Sequence, residues 1–210
     1  MRKENLFRVA ATGLGALLLT GVAGAALADD ADYGEEGVDL LVEVEAPVEP
    51  GALSLSVADD EAIFTEDATN TDPLIRVFTA TLPDVTVTDT RDPDDIDAAA
   101  QWYVVGSATD FEDQAGVAAD IPVGRLGWTP ALDSSVDTDE VSEGDPVLTT
   151  YDTGPDAVGL GGSELFAMAA NSADINPTGS WTANAALVLK ADATVAPAEY
   201  KSVLTLSLFE

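Results

Sequence analysis

Apolar and polar residues alternate along several stretches of the chain, and this period of two predicts β-strands. The stretch 101–108, QWYVVGSA, places Trp102 and Val104 on one face of a strand and Tyr103 on the other. Residues 200–209 alternate in the same way near the C-terminus. The chain shows no long apolar pattern of period 3.6 after its first 28 residues, so strands rather than helices are expected to carry the fold.

Polar turns separate the alternating stretches. Pro83 is expected to end one strand, and the stretch 163–170 fits either a short helix or a buried strand, of which the strand is favoured. The predicted strands are 38–46, 52–58, 75–82, 85–90, 101–108, a short one within 119–128, 146–153, 163–170, 181–190 and 200–209. Many short strands in succession are typical of an antiparallel sandwich or barrel, and we predict an all-β protein with an antiparallel β-sandwich.

The N-terminal segment has the pattern of a secretory signal peptide. Three basic residues precede an apolar run over 9–22, and Ala-Leu-Ala at 26–28 matches a cleavage site. We therefore predict a signal-peptide helix over 1–28, an acidic flexible leader over 29–37 and a single domain over 38–210. Glycines interrupt the apolar run and no basic flank follows it, so a membrane anchor is not favoured and no membrane insertion is expected after cleavage.

The charge of the chain restricts its partners and its chemistry. The 210 residues include 39 Asp and Glu against 8 Lys and Arg, a formal net charge of −31. Such a protein repels nucleic acids and anionic membranes, so no nucleic-acid partner is expected. The chain contains no His and no Cys, which excludes Ser-His and Cys-His catalysis, disulfides and the usual zinc ligands.

No cofactor is expected from the residues, and calcium is the candidate considered, because two acidic loops offer oxygen ligands for it. Neither loop has the spacing of a helix–loop–helix calcium motif, and solvated loop carboxylates are the favoured alternative. The candidate ligands are Asp92, Asp94, Asp95, Asp97, Asp137 and Asp139. The many carboxylates also leave a two-carboxylate glycan hydrolase as a distant alternative function.

The aromatic residues suggest where a glycan would bind, because exposed rings stack on sugar faces. Trp102 and Trp181 lie on the apolar faces of their predicted strands, so the core is their expected place. Tyr103 points away from Trp102 and is a candidate surface ring. Trp128, which stands beside Gly127 in LGWTP, is the second candidate ligand-binding residue.

The chain resembles the WxL-type cell-surface domain of Gram-positive bacteria. The resemblance rests on QWYVVGSATDF at 101–111, LGWTPAL at 126–132, the strand 181–190, and the turn APAEY at 196–200 before a terminal Thr/Leu-rich strand. Leu-Thr-Leu stands where a terminal Trp-x-Leu would be expected. The high Ala, Asp, Val and Thr content suggests a GC-rich, actinobacterial source.

The resemblance implies a secreted module that associates non-covalently with the cell wall. Its partners would be wall glycan or peptidoglycan and a second secreted surface protein, and its location would be extracellular. We therefore expect a cell-surface protein without enzymatic activity. A structural or interaction subunit of a surface assembly is the alternative, in which an edge strand within 200–209 pairs with a partner chain.

Overall fold

The computed structural model describes residues 51–210, and the predicted signal peptide, leader and strand 38–46 lie outside them. Strands hold 44% of the described residues and helices 6%, and every strand pair is antiparallel, which confirms the all-β prediction. The strands are β1 (Leu53–Val57), β2 (Thr65–Glu66), β3 (Ile75–Asp89), β4 (Trp102–Ala108), β5 (Glu112–Asp113), β6 (Leu126–Leu132), β7 (Val141–Glu143), β8 (Glu164–Ala169), β9 (Ser180–Asp192), β10 (Tyr200–Lys201) and β11 (Leu204–Phe209).

Within residues 51–210, helical structure is confined to short turns between strands. Two 3-10 turns span Pro93–Asp95 and Val123–Arg125, and the helix α1 covers Ser172–Ile175. Asn171 caps this helix, because its side chain accepts a hydrogen bond from the backbone N–H of Asp174. None of the helices within residues 51–210 has the length and apolarity that a membrane crossing requires.

The strands form two main sheets. One has the order β1-β3-β9-β6, with β2 also paired to β3, and the other has the order β11-β4-β8-β7. The strands β10 and β5 form a separate two-stranded ladder. Rings from the two main sheets meet in one apolar core: Trp102 of β4 lies 5.6 Å from Trp181 of β9, and Trp128 of β6 lies 5.5 Å from Phe166 of β8, between ring centroids.

Pro83 does not end a strand, contrary to the sequence prediction. Leu82 pairs with Ala185 and Val85 with Ala183, so β3 holds one more residue than β9 between these pairs. This extra residue is a β-bulge, where proline is tolerated because the local ladder is already interrupted. The bulge also keeps Leu82 and Val85, three residues apart, both buried in the core.

Three further strand predictions, over 146–153, 163–170 and 200–209, agree with the structure to different degrees. The strand favoured over 163–170 is confirmed by β8. The strand suggested over 146–153 is absent from the described chain except for one isolated bridge between Val147 and Trp128. The stretch 200–209 divides into β10 and β11, which pair with β5 and β4 respectively.

Gly106 leaves the space that the Trp128 ring occupies. A Cβ atom at this position would lie 2.5 Å and 2.7 Å from two atoms of the indole. We expect Gly106→Ala to lower the free energy of unfolding by about 1–3 kcal/mol, because the added methyl overpacks the core. Urea denaturation measures the loss, and Gly162→Ala is the control, since the nearest contact of its Cβ is a carboxylate oxygen at 3.6 Å. Equal stability of the two variants would contradict the close packing.

Candidate ligand-binding surface

The outer face of the sheet β11-β4-β8-β7 carries the most exposed aromatic pair of the described chain. Trp102 and Val104 of β4 are buried, so Tyr103 between them points to the outer face. Tyr103 lies directly opposite Phe209 of β11 in the antiparallel register. Residues directly opposite each other share a face, so the two rings meet outside the core.

The two rings form a stacked pair. Their centroids lie 5.3 Å apart and their planes are inclined by 21°. Tyr103 is 40% exposed and Phe209 46% exposed. A stacked pair of this kind presents a broad apolar surface with one phenolic hydroxyl at its border, which suits a ligand with alternating apolar and polar groups.

Apolar side chains extend this surface across the sheet. Met168 of β8 is opposite Tyr103, and Leu165 is opposite Val105. All three of Val105, Leu165 and Met168 are half-buried. We call these three residues, together with Tyr103 and Phe209, the aromatic face.

The aromatic face carries no charge, although the chain is strongly acidic. Its neighbours on the same outer side are also neutral: Ser107 of β4, Ser142 of β7, and Thr205 and Ser207 of β11. The loops, in contrast, hold runs of carboxylates such as those at 92–97 and 137–140. The outer face of this sheet therefore offers a neutral contact surface.

Trp128 does not belong to this surface, which corrects the expectation that it binds ligand. Its side chain is only 1% exposed. The ring packs against Phe166 and fills the space above Gly106, inside the core shared by the two sheets. Trp102 and Trp181 are likewise buried, as the sequence predicted.

The loop that holds the first four candidate calcium ligands uses its carboxylates in local turns. The carboxylate of Asp92 accepts a hydrogen bond from the N–H of Asp94, and that of Asp97 accepts one from the N–H of Ala99. Asp95 lies in the 3-10 turn that Asp92 caps. These bonds stabilise the turn itself rather than direct the oxygens toward one point.

The second loop behaves in the same way. The carboxylate of Asp137 accepts a hydrogen bond from the N–H of Asp139. Across residues 51–210, no group of three or more acidic side chains converges as a metal site would require. The structure therefore does not bring together Asp92, Asp94, Asp95, Asp97, Asp137 and Asp139 as a calcium centre.

An open cleft of about 360 Å³ has an acidic lining. Its lining includes Glu66, Asp67 and Asp72. Arg76 donates two hydrogen bonds of 2.8 Å to Glu66, Thr69 donates two to Asp67, and the N–H of Leu74 donates one to Asp72. The carboxylates of the cleft are thus held by local partners.

The hydrogen bonds in this cleft lower two carboxyl pKa values. The Arg76 side chain lowers the pKa of Glu66, and the Thr69 hydroxyl and N–H lower the pKa of Asp67. A glycosidase general acid needs the opposite shift, since it must stay protonated near neutral pH. The cleft is therefore poorly suited to two-carboxylate hydrolysis.

Comparison with protein-family models, curated proteins and solved structures finds no match for this chain.

Proposed function

We propose that this protein is a secreted, non-catalytic cell-surface module that binds wall glycan or peptidoglycan non-covalently. In this proposal the signal peptide over 1–28 directs secretion, the two main sheets form a β-sandwich, and the chain is a divergent WxL-type domain. The aromatic face is the binding surface. The exposed stack of Tyr103 and Phe209 is the observation that carries the proposal.

The charge distribution supports this choice of surface. A protein of net charge −31 is repelled by an anionic wall. Contact through a neutral face keeps the acidic loops away from the wall, and sugar rings themselves are uncharged. Because salt screens the remaining repulsion, retention on the wall should increase as ionic strength rises.

The absence of enzymatic activity also belongs to the proposal. The chain has no His or Cys, and the acidic cleft lowers rather than raises the pKa values of Glu66 and Asp67. The missing His and Cys exclude Ser-His and Cys-His hydrolysis, and the lowered pKa values argue against a two-carboxylate glycan hydrolase.

We expect Tyr103→Ala and Phe209→Ala each to weaken binding to purified peptidoglycan sacculi by about tenfold, since truncation of an aromatic anchor typically costs more than about 1 kcal/mol. Co-sedimentation of the secreted chain over a range of sacculus concentrations measures the affinity. Tyr103→Phe, which keeps the ring, should bind nearly as well as the original protein.

Leu74→Ala is the matched control for this experiment. Leu74 is 74% exposed and lies outside the aromatic face, so its truncation removes apolar surface without touching the proposed site. Binding that falls equally in Leu74→Ala and Tyr103→Ala, or in neither, would refute the assignment.

A second candidate function is that of a subunit in a surface protein assembly. The strand β11 is the edge of its sheet, and within residues 51–210 it pairs only with β4. It contains no charge, no proline and no register shift, the features with which proteins usually protect an edge. Such an edge is suited to pairing with a strand of another chain.

A further inference from the structure

We infer that β11 pairs with β11 of a second copy of this chain, which deepens the second candidate function by naming the partner. The proposal concerns the outer edge of β11. In antiparallel pairing, the two four-stranded sheets would join into one continuous sheet across a twofold axis.

The hydrogen bonds of β4 show which backbone groups of β11 are available. The N–H of Thr109 donates to the carbonyl of Val203 at 3.1 Å, so Val203 directs its backbone toward β4. On the other side of β4, the N–H of Ala108 donates to the carbonyl of Leu160 at 2.7 Å, so Ala108 and its partner Leu204 direct their backbones away from each other. In an antiparallel strand, successive residues direct their N–H and C=O groups alternately toward one neighbouring strand and toward the opposite side.

The outer edge of β11 therefore presents the N–H and C=O groups of Leu204, Leu206 and Leu208. Among residues 51–210, these groups have no ladder partner, because β4 is the only strand paired to β11. Unpaired backbone groups in a row are a template for another strand.

One register satisfies all of these groups when two copies meet. If Leu206 lies opposite Leu206 of the second copy, then Leu204 lies opposite Leu208, and each pair exchanges two backbone hydrogen bonds. The same register places Thr205 opposite Ser207 on the outer face. Leucine then meets leucine on the inner side and hydroxyl meets hydroxyl on the outer side, so the edge is complementary to itself.

Charge complementarity favours the antiparallel arrangement. Lys201 precedes the edge and Glu210 follows it, so antiparallel pairing brings each Lys201 near Glu210 of the other copy. Parallel pairing would instead bring like charges together. The described part of the chain gives Lys201 no ion pair of its own.

The edge strand β1 is a poorer candidate for the same contact. It is one residue shorter than β11 and leads directly into Asp59, Asp60 and Glu61. A second copy with the same acidic charge would be repelled by these three carboxylates. We therefore place the contact at β11.

A pair of double variants tests both the edge and the register. Thr205→Lys with Ser207→Lys places like charges opposite each other in the predicted dimer and should weaken it by about tenfold, since two such pairs form across the axis. Thr205→Lys with Ser207→Glu places opposite charges there and should keep or strengthen the dimer. Sedimentation velocity over a concentration series, at low and at high salt, measures the dissociation constant. Dimerisation of the unmodified chain should strengthen with salt, because the overall repulsion is then screened.

Three results would contradict the proposed β11 contact or its register. A chain that stays monomeric at all concentrations and salt levels would overturn it. If both double variants dimerised as strongly as the unmodified chain, the proposal would also be overturned, because the contact would then lie elsewhere. Weakening of the Lys/Glu variant to the level of the Lys/Lys variant would show that the register is wrong.

Cysteine crosslinking gives a test that does not depend on added charge. The chain has no native cysteine. A Thr205→Cys chain mixed with a Ser207→Cys chain should form an intermolecular disulfide on oxidation, whereas either chain alone should not. Crosslinking in no mixture, or to the same extent in each chain alone, would contradict the register.

These experiments separate the dimer from the proposed wall binding. Dimerisation is measured without any glycan, and Tyr103→Ala should leave it unchanged because Tyr103 lies on β4, away from the edge. Loss of sacculus binding in Tyr103→Ala with an intact dimer would support both proposals independently. A dimer without sacculus binding would leave only the assembly function.

Discussion

Replacement of Trp128 by alanine is expected to lower the free energy of unfolding by about 3–5 kcal/mol, the usual cost of removing a large buried aromatic ring. The indole is 1% exposed and contacts Phe166 across the two sheets. Its removal leaves a cavity over Gly106 that the rigid strands on either side cannot easily fill.

Urea denaturation followed by circular dichroism measures this loss, because fluorescence would itself change with the tryptophan. Trp128→Phe should cost much less: the indole N–H has no hydrogen-bond partner among residues 51–210, so no such bond is lost there. Tyr103→Ala, at an exposed ring, should cost about 1 kcal/mol or less. A loss below about 1 kcal/mol for Trp128→Ala would mean that this ring is not part of the core.

Arg91→Ala is expected to lower the free energy of unfolding by a similar amount, about 3–5 kcal/mol, because it leaves a buried carboxylate without its charged partner. The Asp89 side chain is fully buried at the end of β3. Arg91 donates to it from its backbone N–H at 3.1 Å, from Nε at 2.9 Å and from Nη2 at 2.7 Å. The guanidinium also holds Glu210 at the end of β11.

The pH dependence of this variant should have the opposite sign to that of the original protein. Burial by itself raises the pKa of Asp89, but the hydrogen bonds and charge of Arg91 outweigh it and hold the pKa below its usual value. Asp89 therefore adds stability above its unfolded pKa of about 3.9, and this stability is lost as the pH falls through the lower folded pKa.

Without the guanidinium, Asp89 keeps the backbone N–H of residue 91 and the Asn176 side chain as donors, but burial is the largest single effect on its pKa. We therefore expect the pKa of Asp89 to rise in the variant, so that this group destabilises the fold as the pH rises. The difference between the two proteins should be larger near pH 7 than near pH 3. Urea midpoints over this range measure it. Arg76→Ala is the control: its partner Glu66 is exposed, so the loss should stay below about 1 kcal/mol at any pH. A constant difference between Arg91→Ala and the original protein would contradict the account.

The sequence was sufficient to predict strands wherever burial alternates strictly. The strand of Trp102 is one example, since its alternate residues are buried in the structure as the pattern predicted. The same reasoning failed at Pro83, because a bulge needs a partner strand with one residue fewer, and local sequence carries no information about the partner. The sequence after residue 28 has no long apolar pattern with a period of 3.6 residues, and this alone predicts the all-β class.

The sequence predicts one of the two rings of the candidate surface, Tyr103, but not its partner Phe209. Tyr103 was placed on the outside by its alternation with Trp102, and the structure agrees. Its stacking partner Phe209 is more than a hundred residues away, and only the register of β11 against β4 brings the two rings together. Trp128 was misassigned because LGWTP alone does not show that Gly106, from the other sheet, leaves room for the ring.

The acidic loops illustrate a second limit of sequence reasoning. Runs of aspartate suggest cation ligands by composition, but Asp92, Asp97 and Asp137 each accept hydrogen bonds from the backbone two residues on. Short turns of this kind use a carboxylate locally. The acidic runs at 92–97 and 137–140 lie in loops, whereas the outer face around Tyr103 is neutral.

The most direct test of the proposed function is a titration of the isotope-labelled protein with soluble peptidoglycan fragments, followed by amide chemical shifts. Binding at the aromatic face predicts saturable shifts centred on Tyr103, Met168 and Phe209, with little change on the outer face of the other sheet, for example at Thr79 and Ala186. Shifts centred on that other sheet, or no shifts at any fragment concentration, would contradict the account.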